Sequence, residues 1–298
     1  MNKDIKKYVL TGLMTALIFA FTFVFHIPVP YTSGYIHLGD SMIYISVIVL
    51  GPFFGAFASG VGSMLADLLS GYAQYALPTL IIKSIMALIM GLLLSGKTRK
   101  ATIASVLSSL AVWFAFSASS IIYLKNQIAG IGKENLVNSL AGADADSETL
   151  NRTARTIENF PIYLTIGLVI ILLTISILAY LISKRDGNNV FNIKAIMGMS
   201  AAGMCMVMGY FLVESFMYSP IAALMSIPMN MIQFFAGVTA AGLFMPAIRK
   251  AQLYSNKTGD GTVPCLIPKE QTLCVLTPYY LKPACLRIST VDSSLFIV

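Results

Sequence analysis

Apolar runs long enough to cross a bilayer recur through most of this chain, and no other feature restricts its fold so severely. They lie at about residues 8–27, 41–70, 78–95, 101–124, 161–183, 195–217 and 228–248. Most are near the roughly 20 residues that cover a hydrocarbon core of about 30 Å. Inside lipid every backbone N–H and C=O must find its partner within the chain, so a spanning segment is a helix or part of a closed barrel. The runs lack strand-like alternation, which predicts an all-α, polytopic membrane helical bundle. Composition agrees: 57% hydrophobic and 11% charged residues, with a mean hydropathy of +0.78, fall outside the range of soluble domains. The first run follows a basic start, MNKDIKK, and has no small-residue cleavage pattern before HIPVP, so it reads as a retained helix.

Charge decides how often the chain crosses. The run at 41–70 is interrupted by Gly51 and Pro52, where either a kinked single helix or a reversal is open. With a reversal, Lys3, Lys6, Lys7, Lys97, Arg99, Lys100, Lys184, Arg185, Lys194, Arg249 and Lys250 all fall on one side, and only Lys125, Lys133, Arg152 and Arg155 on the other. Without it the bias disappears, with 7 basic residues inside and 8 outside. The positive-inside rule therefore predicts eight transmembrane helices with both termini cytoplasmic. External loops are then expected at 28–40, 71–77, 125–160 and 218–227, the third a polar, acidic, solvated loop. Residues 251–298 lack periodicity and read as a poorly ordered cytoplasmic tail.

The net charge of +7 would suggest nucleic acid in a soluble protein; here its clustering at helix ends is a matter of topology, and no nucleic-acid partner is expected. Cys205 lies in an apolar run and Cys265, Cys274 and Cys285 in the tail, without CxxC or Cys/His spacing, so neither a metal site, nor another cofactor, nor a disulfide framework is expected. The stretch GLLLSGKT, Gly91 to Thr98, formally satisfies the phosphate-loop pattern. That pattern needs a strand feeding a glycine-rich loop, whereas here it follows an apolar helix and ends in a basic helix terminus. Any ATP chemistry must come from another polypeptide.

An ionisable side chain inside a transmembrane segment costs at least about 2.5–3.5 kcal/mol, so each one raises a functional question. Three qualify: Asp67, Lys83 and Glu214. Each stands four or five residues from an external turn, which at about 1.5 Å per residue places all three roughly 6–8 Å beneath one boundary. His37, Asp40, Tyr72, Tyr75, Asn230 and Gln233 approach the same layer from neighbouring segments. Acid, base, amide and phenol groups converging from several helices suit a pocket for a small polar aromatic molecule. Plainer readings stand beside this one: a structural Asp67–Lys83 ion pair, a snorkelling Glu214, a solvated His37, and Tyr72 and Tyr75 as interfacial aromatics. In the first helix Gly12, Ala16 and Ala20 recur every four residues and form a smooth stripe, for a partner helix or for internal packing. GPFFGAFASGVGS reads as close helix packing.

The segments YIHLGDSMIYISVIVLGP (35–52), GSMLADLLSGYAQYALPTLIIKSIM (62–86), GYFLVE (209–214) and NMIQ (230–233) resemble the substrate-capture (S) components of energy-coupling factor transporters, most closely the riboflavin, hydroxymethylpyrimidine and pyridoxine branch. The resemblance covers about residues 5–95 and 195–250. It implies a six-helix core within a membrane domain at 1–250, with an insertion at 101–194 carrying two extra helices. It also implies an outward-facing pocket for a vitamin or vitamin precursor, capped by residues 28–40, and no catalysis of the chain's own. Ala16 and Ala20 would dock on a separate transmembrane coupling protein served by two ATPase subunits in a bacterial cell membrane. The competing expectation is a proton-coupled secondary transporter using Asp67 or Glu214, which the clustering of charge at one face disfavours. A membrane enzyme is disfavoured by the lack of a carboxylate cluster or an activated nucleophile.

Overall fold

A computed structural model describes residues 3–95, 99–142, 144–186 and 190–257. Its elements run α1 (Lys3–Val24), β1 (His26–Val29), β2 (Gly34–His37), α2 (Gly39–Leu50), α3 (Pro52–Leu69), α4 (Ala73–Ser95), α5 (Arg99–Ile131), α6 (Lys133–Ala141), α7 (Ser147–Asp186), α8 (Val190–Met217) and α9 (Pro220–Lys257). Lys97 and Thr98 of the phosphate-loop pattern, the tail cysteines and everything after residue 257 lie outside the described residues. So do the side chains of Arg99, Lys100, Lys184, Arg185, Lys194, Arg249 and Lys250, on which the charge bias rests.

Each helix carries its reason in the sequence. Along α1, Thr11, Met14, Ile18 and Thr22 recur at helical spacing and are the buried stripe, while Leu13 and Val9 face outward. Between α2 and α3 the chain reverses at Gly51, whose φ of +79° suits glycine alone. Pro52 then opens α3 at a position where its missing N–H costs nothing. The two helices run back along each other, with Ser46 Oγ and Ser59 Oγ 3.4 Å apart. The expected reversal is present, but α2 has only 12 residues, about 18 Å of rise. It is buried along nearly its whole length and so is a core helix within the bundle rather than a full span.

Six helices are packed in a closed ring in the order α1, α3, α4, α8, α9, α2, and α2 also touches α3 and α4 across it. Glycines in α3 allow close approaches: a Cβ at Gly62 would lie 2.7 Å from the Thr15 carbonyl of α1, and one at Gly60 would lie 2.8 Å from the Leu80 carbonyl of α4. α5 and α7 lie outside this ring, against α8 and α9. Among the described residues six helices are long and apolar enough to cross a membrane: Asp4–Val24, Pro52–Leu69, Ala73–Ser95, Ser147–Thr174, Ala195–Met217 and Pro220–Phe244. The protein is a multi-pass, all-α membrane bundle.

Three expected loops are corrected. The described residues of 125–160 are mostly helical, interrupted at Gly132 and between Ala141 and Ser147, where Gly142, like Gly132, has positive φ. Asp146 caps α7 by accepting from the Thr149 N–H at 2.8 Å, and hydrogen bonds from the Thr149 side chain first, then its N–H, hold the Asp146 carboxyl below the usual carboxylate range. Glu148 pairs with Arg152, and Lys133 with Glu158. Leu136, Val137, Ile157 and Phe160 are buried, so polar composition hid an amphipathic helical hairpin. The expected 71–77 loop is short because α4 starts at Ala73. Pro78 falls early enough in that helix that only one first-turn hydrogen bond is forfeited. The expected 218–227 loop shrinks to two residues: Ser219 Oγ accepts from the Ala222 N–H at 3.1 Å and Pro220 opens α9. At the other end α9 continues to Lys257, so the first residues assigned to the tail are helical.

Candidate functional site

Between α1 and α2 the chain makes a short antiparallel hairpin, absent from the sequence expectation, with His26 opposite His37 and Val29 opposite Gly34. A strand sends alternate side chains to one face, and Tyr35 and His37 both turn toward the bundle interior. The connecting turn carries positive φ at Tyr31 (73°) and Ser33 (45°). Two tethers hold it. Tyr75 OH of α4 donates to the Thr32 carbonyl at 2.5 Å, and Tyr31 OH reaches Thr153 Oγ1 of α7 at 3.4 Å.

Beneath the hairpin lies a cavity of about 350 Å³, counting its open mouth. Val29 comes from β1, Gly34, Tyr35 and His37 from β2, and Asp67 from α3. Tyr75 and Thr79 come from α4, Tyr210 and Glu214 from α8, and Asn230 from α9. On α4 and α8 the contributors follow i,i+4 spacing, so each of these two helices presents one short polar face to the same space. Tyr35 OH donates to Asp67 Oδ1 at 2.5 Å, while Asp67 Oδ2 is buried without a hydrogen bond. Glu214 Oε2 accepts from Ser226, and Oε1 lies 3.4 Å from Tyr75 OH. Asn230 Nδ2 stands 3.5 Å from Ser226 Oγ, and Thr79 Oγ1 meets Tyr210 OH at 3.1 Å.

Behind His37 is a second, fully enclosed polar network. Lys83 Nζ pairs with Asp40 Oδ1 at 2.5 Å, both side chains at 0% exposure. Gln233 Nε2 donates to Asp40 Oδ2 at 2.8 Å, while Gln233 Oε1 accepts from the His37 main-chain N–H at 3.1 Å. Gly39 N–H donates to His37 Nδ1 at 3.0 Å, and Lys83 and Gln233 each reach Met206 Sδ at 3.2 Å. His37 is neutral here: burial first, then the Lys83 ammonium, pushes its imidazole down to about 3. Burial and the neighbouring Asp67 raise the Tyr35 phenol far above its usual range, so it remains a donor.

Of the residues expected at the site, His37, Asp67, Tyr75, Glu214 and Asn230 line the cavity. Asp40, Lys83 and Gln233 do not; they form the network behind it. Tyr72 packs its ring against Tyr35, 4.5 Å between centroids and tilted by 42°, and is not among the lining residues. The alternative of an Asp67–Lys83 ion pair is not realised, because Lys83 is committed to Asp40. His37 is buried, not solvated, and so is Glu214. Gly12 and Ala16 are exposed and Ala20 is half-buried. A Cβ at Gly12 would meet nothing within 4 Å, so the stripe faces away from the bundle and internal packing does not explain it. Sequence reasoning missed Tyr35, Thr79 and Tyr210. A signal existed for each: Thr79 precedes Lys83 by four residues, Tyr210 precedes Glu214 by four, and Tyr35 precedes His37 by two. Among the described residues, no three His, Cys, Asp or Glu side chains are gathered as metal ligands would be.

Residues 2–138 match the family of the S component of ECF-type riboflavin transporters. Over 77 residues the chain is 44% identical to a protein of Pyrococcus woesei named only as uncharacterized, which covers 26% of this chain and 51% of that protein. Over 82 residues it is 38% identical to the thiamine precursor transporter HmpT of Lactococcus lactis subsp. cremoris, 27% of this chain and 49% of that protein. The chain thus spans about half the length of the curated relatives it matches. No solved structure matches it. The matched region carries the hairpin, Asp67, Tyr75 and Thr79, while Tyr210, Glu214 and Asn230 complete the same cavity from beyond it. Residues 2–138 are thus similar to the S component of ECF-type riboflavin transporters.

Proposed function

We propose that this chain captures a small heteroaromatic vitamin or vitamin precursor and passes it to an ATP-driven importer. The observation that carries this reading is the cavity under the β1–β2 hairpin, lined by phenols, carboxylates and an amide from five separate elements. Such a lining offers hydrogen bonds at the edges of a flat ring and aromatic faces to its sides. The thiamine precursor handled by the HmpT relative belongs to this class of cargo.

In this reading the hairpin end faces outward, both termini are cytoplasmic and the membrane is a bacterial cell membrane. Release inside depends on a transmembrane coupling protein and two ATPase subunits. The outward stripe Gly12, Ala16 and Ala20 is where the coupling protein docks, because small side chains let a helix of another chain approach closely. The reading assigns no catalysis and no cofactor to the chain.

Two measurements test it. Mass spectrometry of small molecules retained by the purified protein is expected to find a single heteroaromatic species in near-stoichiometric amount. Uptake in vesicles is expected only when ATP, the coupling protein and the ATPases are present. Uptake driven by a proton gradient in this chain alone would establish the secondary-transporter alternative instead.

A further inference from the structure

The turn of the hairpin has a backbone that needs outside support. Tyr31 and Ser33 have φ of 73° and 45°, a region that side chains other than glycine enter only at a cost and keep only where surrounding contacts fix them. Thr32 between them is wholly buried. One fixing contact comes from the ring of six helices, through Tyr75 OH and the Thr32 carbonyl. The other comes from outside the ring, where Tyr31 OH donates to Thr153 Oγ1 of α7 at 3.4 Å. Thr153 stands out within its own helix. Ile157, Phe160, Leu164, Leu168 and Ile171 form a buried stripe at helical spacing, and Thr153, 1% exposed, is a polar side chain at the head of that stripe. Thr156, Thr165 and Thr174 donate to carbonyls four residues back in α7, whereas Thr153 Oγ1 accepts from another element. The ends of the turn, Val29 and Gly34, pair across the hairpin and both line the cavity. A Cβ at Gly34 would lie 3.3 Å from Tyr75 OH and 3.4 Å from Glu214 Oε1, so the seat of the turn sets the roof of the cavity.

We propose that α7, outside the ring, is a brace for that roof, with Thr153 as its positioning residue acting on the cavity through Tyr31. This rests on the reading of the hairpin as the cover of a capture site and gives the helices beyond the ring a part in it. One neutral hydrogen bond contributes modestly, so the brace biases the turn toward its seated position and still lets it lift. Its partner tether, Tyr75, belongs to a different helix, so the turn is held from two sides and loosens when either side lets go.

The test follows amide hydrogen exchange at residues 31–36 by mass spectrometry, on the full-length protein in detergent. Thr153→Val and Tyr31→Phe remove the same bond, so each is expected to speed exchange there about threefold to tenfold, and the double variant no further. Thr153→Ser keeps a hydroxyl and is expected to stay within about twofold of the native rate, as is Thr156→Val, whose hydroxyl serves its own helix. A residue that merely filled space would give the reverse order, with valine tolerated and serine not. Release of riboflavin and of 4-amino-5-hydroxymethyl-2-methylpyrimidine, each loaded as a probe, is expected to quicken in Thr153→Val by the same factor as the exchange. Native exchange at the turn in both Thr153→Val and Tyr31→Phe would overturn the brace, and so would exchange that rises equally along α7 and α8. Binding of neither probe, with no small molecule retained on purification, would overturn the capture reading; the brace would still stand on the exchange result.

Discussion

Lys83 and Asp40 illustrate why a buried ion pair is costly to disturb. Both are wholly enclosed, and Gln233 ties the pair to the hairpin through the His37 backbone. Removing one member strands the other charge in an apolar interior. Lys83→Met is expected to destabilise the protein by about 3–5 kcal/mol, read as a fall in the thermal midpoint in detergent. Adding Asp40→Asn to that variant is expected to recover most of the loss; no recovery would mean the residues are not energetically paired. His37 makes a separate prediction. Its folded pKa, about 3, lies below the ordinary 6.5, so the unfolded chain takes up a proton first as pH falls. The stability this supplies is complete above pH 6.5 and is lost on acidification toward 3. Thermal midpoints measured from pH 7.5 downward, at intervals of about half a unit, should decline more steeply for the native protein than for His37→Asn, which keeps an acceptor for the Gly39 N–H. Equal slopes would count against a buried neutral imidazole.

At the scale of elements, close helix contact and the tethered hairpin are what form the site. A side chain at position 62 would drive into the Thr15 carbonyl of α1, a backbone atom that cannot move aside. Gly62→Val is expected to cost about 1–3 kcal/mol by overpacking, whereas Gly12→Val meets no neighbour and is expected to leave the thermal midpoint unchanged. The Tyr75 hydroxyl fastens the hairpin turn to α4. Tyr75→Phe removes that donor and leaves the Thr32 carbonyl unsatisfied, a loss of about 1–3 kcal/mol felt locally. Faster dissociation of bound cargo is the expected readout; an unchanged off-rate would show that the hairpin is held by its other contacts. The hairpin itself was not legible beforehand. Its strands have four residues each, too short for alternation to rise above the surrounding apolar sequence. The helical segments within 125–160 show the opposite failure, where acidic composition masked an apolar face carried by Leu136, Ile157 and Phe160.

For the molecule as a whole, capture and delivery are assigned to different surfaces, so they should separate by mutation. Ala16 is exposed on the outer side of α1, far in function from the cavity lining. Ala16→Trp is expected to leave cargo affinity within about twofold while abolishing ATP-dependent uptake in vesicles, since a bulky ring bars close helix approach. Retained uptake would remove this stripe from the coupling interface.

The sequence by itself determined the helical bundle and picked out half of the cavity residues, because a bilayer makes every buried polar group expensive and therefore conspicuous. Asp67, Glu214, Tyr75, His37 and Asn230 were legible on that ground. Tyr35, Thr79 and Tyr210 carry no formal charge and did not stand out among apolar neighbours. Depth along a helix can be read from residue counts, but the direction in which a side chain points around the bundle depends on how the helices are rotated against one another. Only the tertiary structure could decide that Lys83 turns to Asp40 instead of Asp67, and so stands behind the cavity wall and not in its lining.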